Sequence, residues 1–156
     1  MSRYSDRCRD EIDVCKRKVS GWMIKGMCEN GREGYVPSIS EHTGISCNCL
    51  YGYLSSKHLP NAYGFYLIDG YLYRGVRSGE FMDEMEFRQK CAAAIRRGME
   101  MCGVGVKRLA RGVDSYPRTI RMFLNCKTTP SIFYLYLIDD YLGGVVLDSL
   151  NLPCVL

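Results

Sequence analysis

Arginine and lysine crowd into one stretch of this 156-residue chain. Between Arg88 and Lys127 stand ten cations (Arg88, Lys90, Arg96, Arg97, Lys107, Arg108, Arg111, Arg118, Arg121 and Lys127) and two acids, Glu100 and Asp114. That is a local charge of +8 in a chain whose total is only +4. Guanidinium groups bond in bidentate fashion to phosphate and to guanine O6 and N7, and clustered cations are the footprint of a polyanion partner. The comparable stretch of the first half, Lys18 to Lys57, has four cations and three acids, a net +1. A solvated helix face would also carry arginines, so their joint placement is what favours a nucleic acid.

Other chemistries find little to work with. Only His42 and His58 are present, and no Gly-rich phosphate loop, Gly-x-Ser-x-Gly elbow or His-Glu-x-x-His run occurs. An enzyme is therefore not expected, although a Cys–His pair that meets only in space stays open. Nine cysteines (8, 15, 28, 47, 49, 91, 102, 126 and 154) are an odd number without Cys-x-x-Cys spacing, which reads as reduced thiols in a cytoplasmic protein. Cys47 and Cys49, two apart on a helix, would point about 200° away from each other. Neither a metal nor a cofactor is expected.

Composition sets the class. Hydrophobic residues at 47% and charged residues at 24% are those of an ordinary globular chain, not a disordered one. No run of eighteen apolar residues exists, which predicts no membrane span. The opening Met1 to Arg7 has no apolar core and predicts no secretory signal.

Sliding the chain against itself by 70 positions aligns two halves without a gap. Val36/Val106, Leu54/Leu124, Lys57/Lys127, Pro60/Pro130, Tyr66/Tyr136, Asp69/Asp139, Tyr71/Tyr141 and Leu72/Leu142 coincide, as do Leu67-Ile68 and Leu137-Ile138. The pattern predicts a tandem duplication, with repeats over 1–75 and 80–156. Arg74 to Gly79 is the linker. The recurring tyrosines would pack the closing helices on each other or face a second chain.

Each copy reads as short helices. In the first, one spans Lys16–Cys28 and stops at Asn30-Gly31. Val36–Thr43 follows, opened by Pro37, and Gly44 turns the chain. Ser46 caps Cys47–Leu54, and Pro60-Asn61 leads to a helix with Ala62, Phe65, Ile68 and Leu72 inward. In the second copy, Phe81–Cys102 ends at Gly103, and Val106–Gly112 is two turns long. Asp114-Ser-Tyr offers a turn and a cap, and Pro117 begins a helix to Leu124. Ser131 caps the last helix, with Ile132, Leu135, Ile138 and Leu142 inward. Gly143–Leu156 reads as a short extended tail. The expected class is all-α.

These spacings resemble a known family. Ile39-Ser-Glu-His-Thr-Gly44-Ile-Ser-Cys-Asn-Cys-Leu50, with Tyr53, Lys57 and Pro60 behind it, is similar to the helix-turn-helix of the lambda-repressor-like (Cro and CI) family. Leu109-Ala-Arg-Gly-Val-Asp114-Ser-Tyr-Pro-Arg-Thr-Ile120, with Phe123, Lys127 and Pro130, looks like a second copy. Each has a small residue (Ser40, Ala110) where the two motif helices meet, and an aliphatic ten positions later. Ser56 and Cys126 stand where the family usually has a glycine at positive φ. Asp114 replaces a turn glycine, and Ser115 a turn hydrophobe.

The resemblance implies two tandem helix-turn-helix bundles related by a pseudo-twofold, and a sequence-specific regulator of the kind phages and other mobile elements carry. Its partner would be double-stranded DNA. The second short helix of each copy would enter the major groove. In the second copy Tyr116, Arg118 and Arg121 would read bases, while Asn125, Lys127, Arg108 and Arg111 would touch phosphate. In the first, Asn48 would pair with adenine, Tyr51 would touch phosphate or stack, and Lys57 would lie past the helix end. The competing reading is a protein-binding module (adaptor, antitoxin-like or anti-repressor-like) whose first repeat binds little DNA. A homodimer or another protein would then use that repeat or residues 143–156.

Overall fold

The computed structural model describes the backbone of residues 6–156 and side chains from residue 9 onward. The first five residues of the expected first repeat lie outside it. So do the Cys8 thiol and most of the opening segment expected to lack a signal. Among the described residues every regular element is helical. Contacts divide the chain into two compact units, Asp6–Phe81 and Met82–Cys154, so the boundary falls just past the expected linker.

The first unit begins with α1 (Asp6–Glu29) and a single 3-10 turn (Gly31–Gly34), followed by α2 (Val36–Thr43), α3 (Cys47–Leu54) and α4 (Ala62–Arg74). α1 starts ten residues before the expected Lys16. Among the described side chains ahead of Lys16, Cys15 is the one in the core, and the stretch is mostly polar, so hydrophobic spacing alone does not reveal these turns. Cys15, Val19 and Met23 form the buried stripe, four apart, and α1 lays it on α3 and α4. Gly44 turns the chain at φ 75°, and the side chains of Ser46 and Asn61 accept hydrogen bonds from Cys49 N and Gly64 N to cap α3 and α4.

The second unit holds α5 (Glu84–Cys102), α6 (Val106–Gly112), α7 (Pro117–Leu124), α8 (Ile132–Tyr141) and α9 (Val145–Leu150). α5 starts at Glu84, three residues beyond the expected Phe81, and Asp83 caps it by accepting from Glu86 N. Ser131 caps α8 through Tyr134 N. The expected inward residues Ile132, Leu135, Ile138 and Leu142 are all buried, as are Ala62, Phe65, Ile68 and Leu72 of the first unit.

The tail is a correction. Residues 145–150 are helical, not extended, because Gly143 and Gly144 (φ 81° and 88°) turn the chain back and Asp139 Oδ1 accepts from Leu147 N at 2.8 Å. α9 packs on α5 and α8, burying Val146 and Leu147. The expected cap after α6 also differs. Tyr116 occupies the position before α7 without a side-chain bond, and Asp114 instead takes the left-handed turn conformation at φ 55°.

Element starts pair Val36 with Val106, Cys47 with Pro117 and Ala62 with Ile132, each 70 residues apart. The long helices keep a different interval. Cys15/Phe87, Val19/Cys91, Met23/Ile95 and Gly26/Gly98, all buried, are 72 apart. Each glycine sits against the end of its unit's fourth helix. A Cβ on Gly26 would meet Tyr73 and Leu72 at 2.9–3.1 Å, and one on Gly98 would meet Leu142 and Val145 at 3.0–3.1 Å. Asn30 Nδ2 donates to the Leu72 carbonyl at 2.8 Å, and Cys102, again 72 later, donates from Sγ to the Leu142 carbonyl at 3.5 Å. The gapless alignment is thus off by two residues over the long helix. The extra length lies in the Gly31–Gly34 turn, which the second unit lacks.

Candidate nucleic-acid interface

α6 and α7 present the second unit's cations. α6 turns Leu109 and Ala110 inward and leaves Lys107, Arg108 and Arg111 exposed. α7 buries Ile120, Phe123 and Leu124. Arg118, Arg121 and Asn125 share the opposite stripe, at intervals of three and four, and all are exposed. Phe123 meets the Tyr134 ring edge-on at 5.4 Å, which seats α7 on α8. Ser115 N donates to the Ala110 carbonyl at 2.7 Å, closing the turn between the two short helices. Tyr116, 60% exposed, stands at the mouth of that turn.

After α7 the chain leaves through Asn125 and Cys126. Cys126 is left-handed at φ 58°, and Lys127 N donates back to the Met122 carbonyl at 2.9 Å. The first unit does the same with Ser56 at φ 61° and Lys57 N on the Gly52 carbonyl at 3.0 Å. Both positions therefore hold the conformation that glycine adopts most easily.

Of the ten cations of Arg88–Lys127, Arg88 and Arg96 are engaged within the unit, and the side chains of the other eight, Lys90 and Arg97 of α5 among them, make no ion pair or hydrogen bond. Arg88 donates from Nε to Thr129 Oγ1 at 2.8 Å, pairs with Glu84 at 3.4 Å and reaches the Lys127 carbonyl at 3.4 Å. Arg96 donates to the Leu124 carbonyl at 3.1 Å. These two brace α5 against the α7 exit. By contrast, the side chains of Lys107, Arg108, Arg111, Arg118, Arg121 and Lys127 are exposed and make no ion pair or hydrogen bond. Lys107 is absent from the sequence-derived site. Its signal was available, since positions 107, 108 and 111 are the polar face of a two-turn helix.

In the first unit Asn48, Tyr51 (56% exposed) and Lys57 are likewise at the surface, on α3 and just beyond it. Lys57 is the only lysine or arginine between Val36 and Lys57. His42, at the end of α2, stacks on Tyr71 at 5.1 Å, and its Nδ1 lies 3.3 Å from Ser78 Oγ. Arg77 covers the Tyr71 ring at 4.6 Å and pairs with Glu33 at 2.7 Å, while Arg74 pairs with Asp69 at 2.8 Å. These cations are engaged within the unit. Burial pushes the Asp69 carboxyl above the usual carboxylate range, and Arg74 pulls the other way.

Among the described residues no helix is long and apolar enough to cross a membrane, and no three His, Cys, Asp or Glu side chains converge as metal ligands. Comparison with family models, curated proteins and solved structures gives no match for this chain.

Proposed function

We propose that the two units are helix-turn-helix bundles of the lambda-repressor-like kind, arisen by tandem duplication, and that the chain binds double-stranded DNA sequence-specifically as a transcriptional regulator. α7 enters the major groove, where Arg118 and Arg121 read guanine edges and Tyr116 lies beside them. Arg108, Arg111, Asn125 and Lys127, with Lys107 added, hold phosphates on either side. One observation carries this reading: the cations of α6, α7 and the α7 exit are exposed and unpaired, although two neighbouring arginines are used internally. A second supports it. α7 begins at Pro117 without a side-chain cap; Pro117 has no N–H and Thr119 N donates to the Tyr116 carbonyl at 3.0 Å, so the Arg118 amide is the one first-turn donor left for an anion, whereas Ser46 caps the equivalent helix α3.

The near-neutral α3 face favours a lesser DNA role for the first unit, with Asn48, Tyr51 and Lys57 as auxiliary contacts or as a surface for a protein partner. Selection from random duplex DNA followed by gel shift tests the assignment. Arg118→Ala/Arg121→Ala loses sequence preference, each arginine contributing about 1–3 kcal/mol of discrimination, and Asn48→Ala has the milder effect. Unchanged site and strength in both variants would overturn the reader positions.

A further inference from the structure

Two thiols of the second unit lie on facing elements. Cys91 is buried on the stripe of α5 that packs against α7. Cys126 is half-buried in the left-handed exit of α7. Contacts tie α5 to this exit on both sides of the pair. Arg88, one turn before Cys91, reaches the Lys127 carbonyl, and Arg96, just over one turn after it, reaches the Leu124 carbonyl. The corresponding first-unit positions are Val19 and Ser56, and beside Val19 the Ser20 hydroxyl donates to the Leu54 carbonyl at 2.6 Å. The long helix and the exit turn therefore touch in both units. Burial, with the neighbouring Cys126 sulfur adding to it, pushes the Cys91 thiol up to about 12.

We propose that Cys91 and Cys126 are an oxidation site that closes to a reversible intramolecular disulfide under a hydroperoxide, stapling the α7 exit to α5. Cys126, the more accessible sulfur, attacks one peroxide oxygen as its thiolate. The O–O bond breaks, the departing oxygen leaves as water or alcohol after taking a proton, and Cys126 becomes a sulfenic acid, two electrons oxidised. Cys91 sulfur then attacks the sulfenic sulfur. The S–S bond forms, the S–O bond breaks, and the hydroxide leaves as water with the Cys91 proton. A dithiol reverses the change by exchange. Cys91, the buried sulfur, does not meet the oxidant first and is the resolving partner.

The test treats the reduced full-length chain with hydrogen peroxide, alkylates it, and maps peptides without reduction. The expected product is a peptide pair joined through Cys91 and Cys126, lighter than the two free peptides by two hydrogens and released by dithiothreitol. In Cys91→Ala, Cys126 remains a sulfenic acid and takes up dimedone, a label that the wild type loses as the disulfide closes. Because Cys91 is buried, the wild-type map decides independently of how that variant folds. Oxidised Cys126 beside a Cys91 that still alkylates after denaturation would overturn the proposal.

Discussion

Arg96 reaches from the middle of α5 to the carbonyl of Leu124, the last residue of α7, at 3.1 Å. In the first unit the hydroxyl of Ser20 holds the matching carbonyl of Leu54 at 2.6 Å. Different side chains from different helical turns thus satisfy the same orphan acceptor, one of the carbonyls every helix leaves at its end. The relationship also separates arginines that build the second unit from those available to a partner.

Arg96→Ala should therefore cost stability and leave recognition alone. Loss of one charge-assisted bond at a partly solvated site predicts about 1 kcal/mol, read by urea denaturation. The DNA sequence chosen from a random pool should be that of the wild type. A changed preference with unchanged stability would place Arg96 among the readers.

Two glycines should respond in opposite directions to alanine. A Cβ on Gly34 would lie 2.0 Å from the Met27 carbonyl oxygen, a backbone atom that can move only with α1, whereas nothing lies within 4 Å of the corresponding point on Gly21. Gly34→Ala is expected to destabilise by more than about 2 kcal/mol. Gly21→Ala, inside an exposed helical turn, should stabilise by about 0.5–1 kcal/mol. Equal melting temperatures for the two variants would contradict this close approach.

Asp69 should leave a signature in the pH dependence of stability. Its carboxyl is raised above 3.8 by burial, against the opposing pull of Arg74. Over that window the folded state binds more protons than the unfolded chain, so this group's contribution is fully present below pH 3.8 and is lost as pH rises through the folded value. Asp69→Asn should remove that component from unfolding free energies measured across the acid range, and Arg74→Met should enlarge it. An Asp69→Asn profile parallel to the wild type over that range would show that burial does not perturb the group.

Much of this arrangement is legible in the residues. Gly105, Pro117 and Pro130 bracket α6 and α7 because each has a strong local effect on backbone geometry, and the left-handed Ser56 and Cys126 follow from comparison with a pattern that expects glycine there. α9 is less legible. Two consecutive glycines read as a break, and the group that restarts the helix, Asp139, lies eight residues before its partner Leu147. The 72-residue interval of the long helices is hidden for a related reason. Cys15 and Phe87, or Val19 and Cys91, share a buried position without sharing a residue type, so matching letters does not find them. The difference between Arg96 and Arg118 is not local either. Nothing around Arg96 in the sequence announces a carbonyl 28 positions away.

The most direct test of DNA binding by the second unit is the affinity of the full chain for its selected duplex as a function of salt. If Lys107, Arg108, Arg111 and Lys127 each neutralise one phosphate, log affinity falls against log salt with a slope of about −3.6, and Arg108→Gln/Arg111→Gln reduces it to about −1.8. In the first unit, Lys57→Gln, at the position matching Lys127, should alter the slope by less than about 1. A salt-insensitive affinity, or a slope that the Arg108→Gln/Arg111→Gln pair leaves unchanged, would contradict the account.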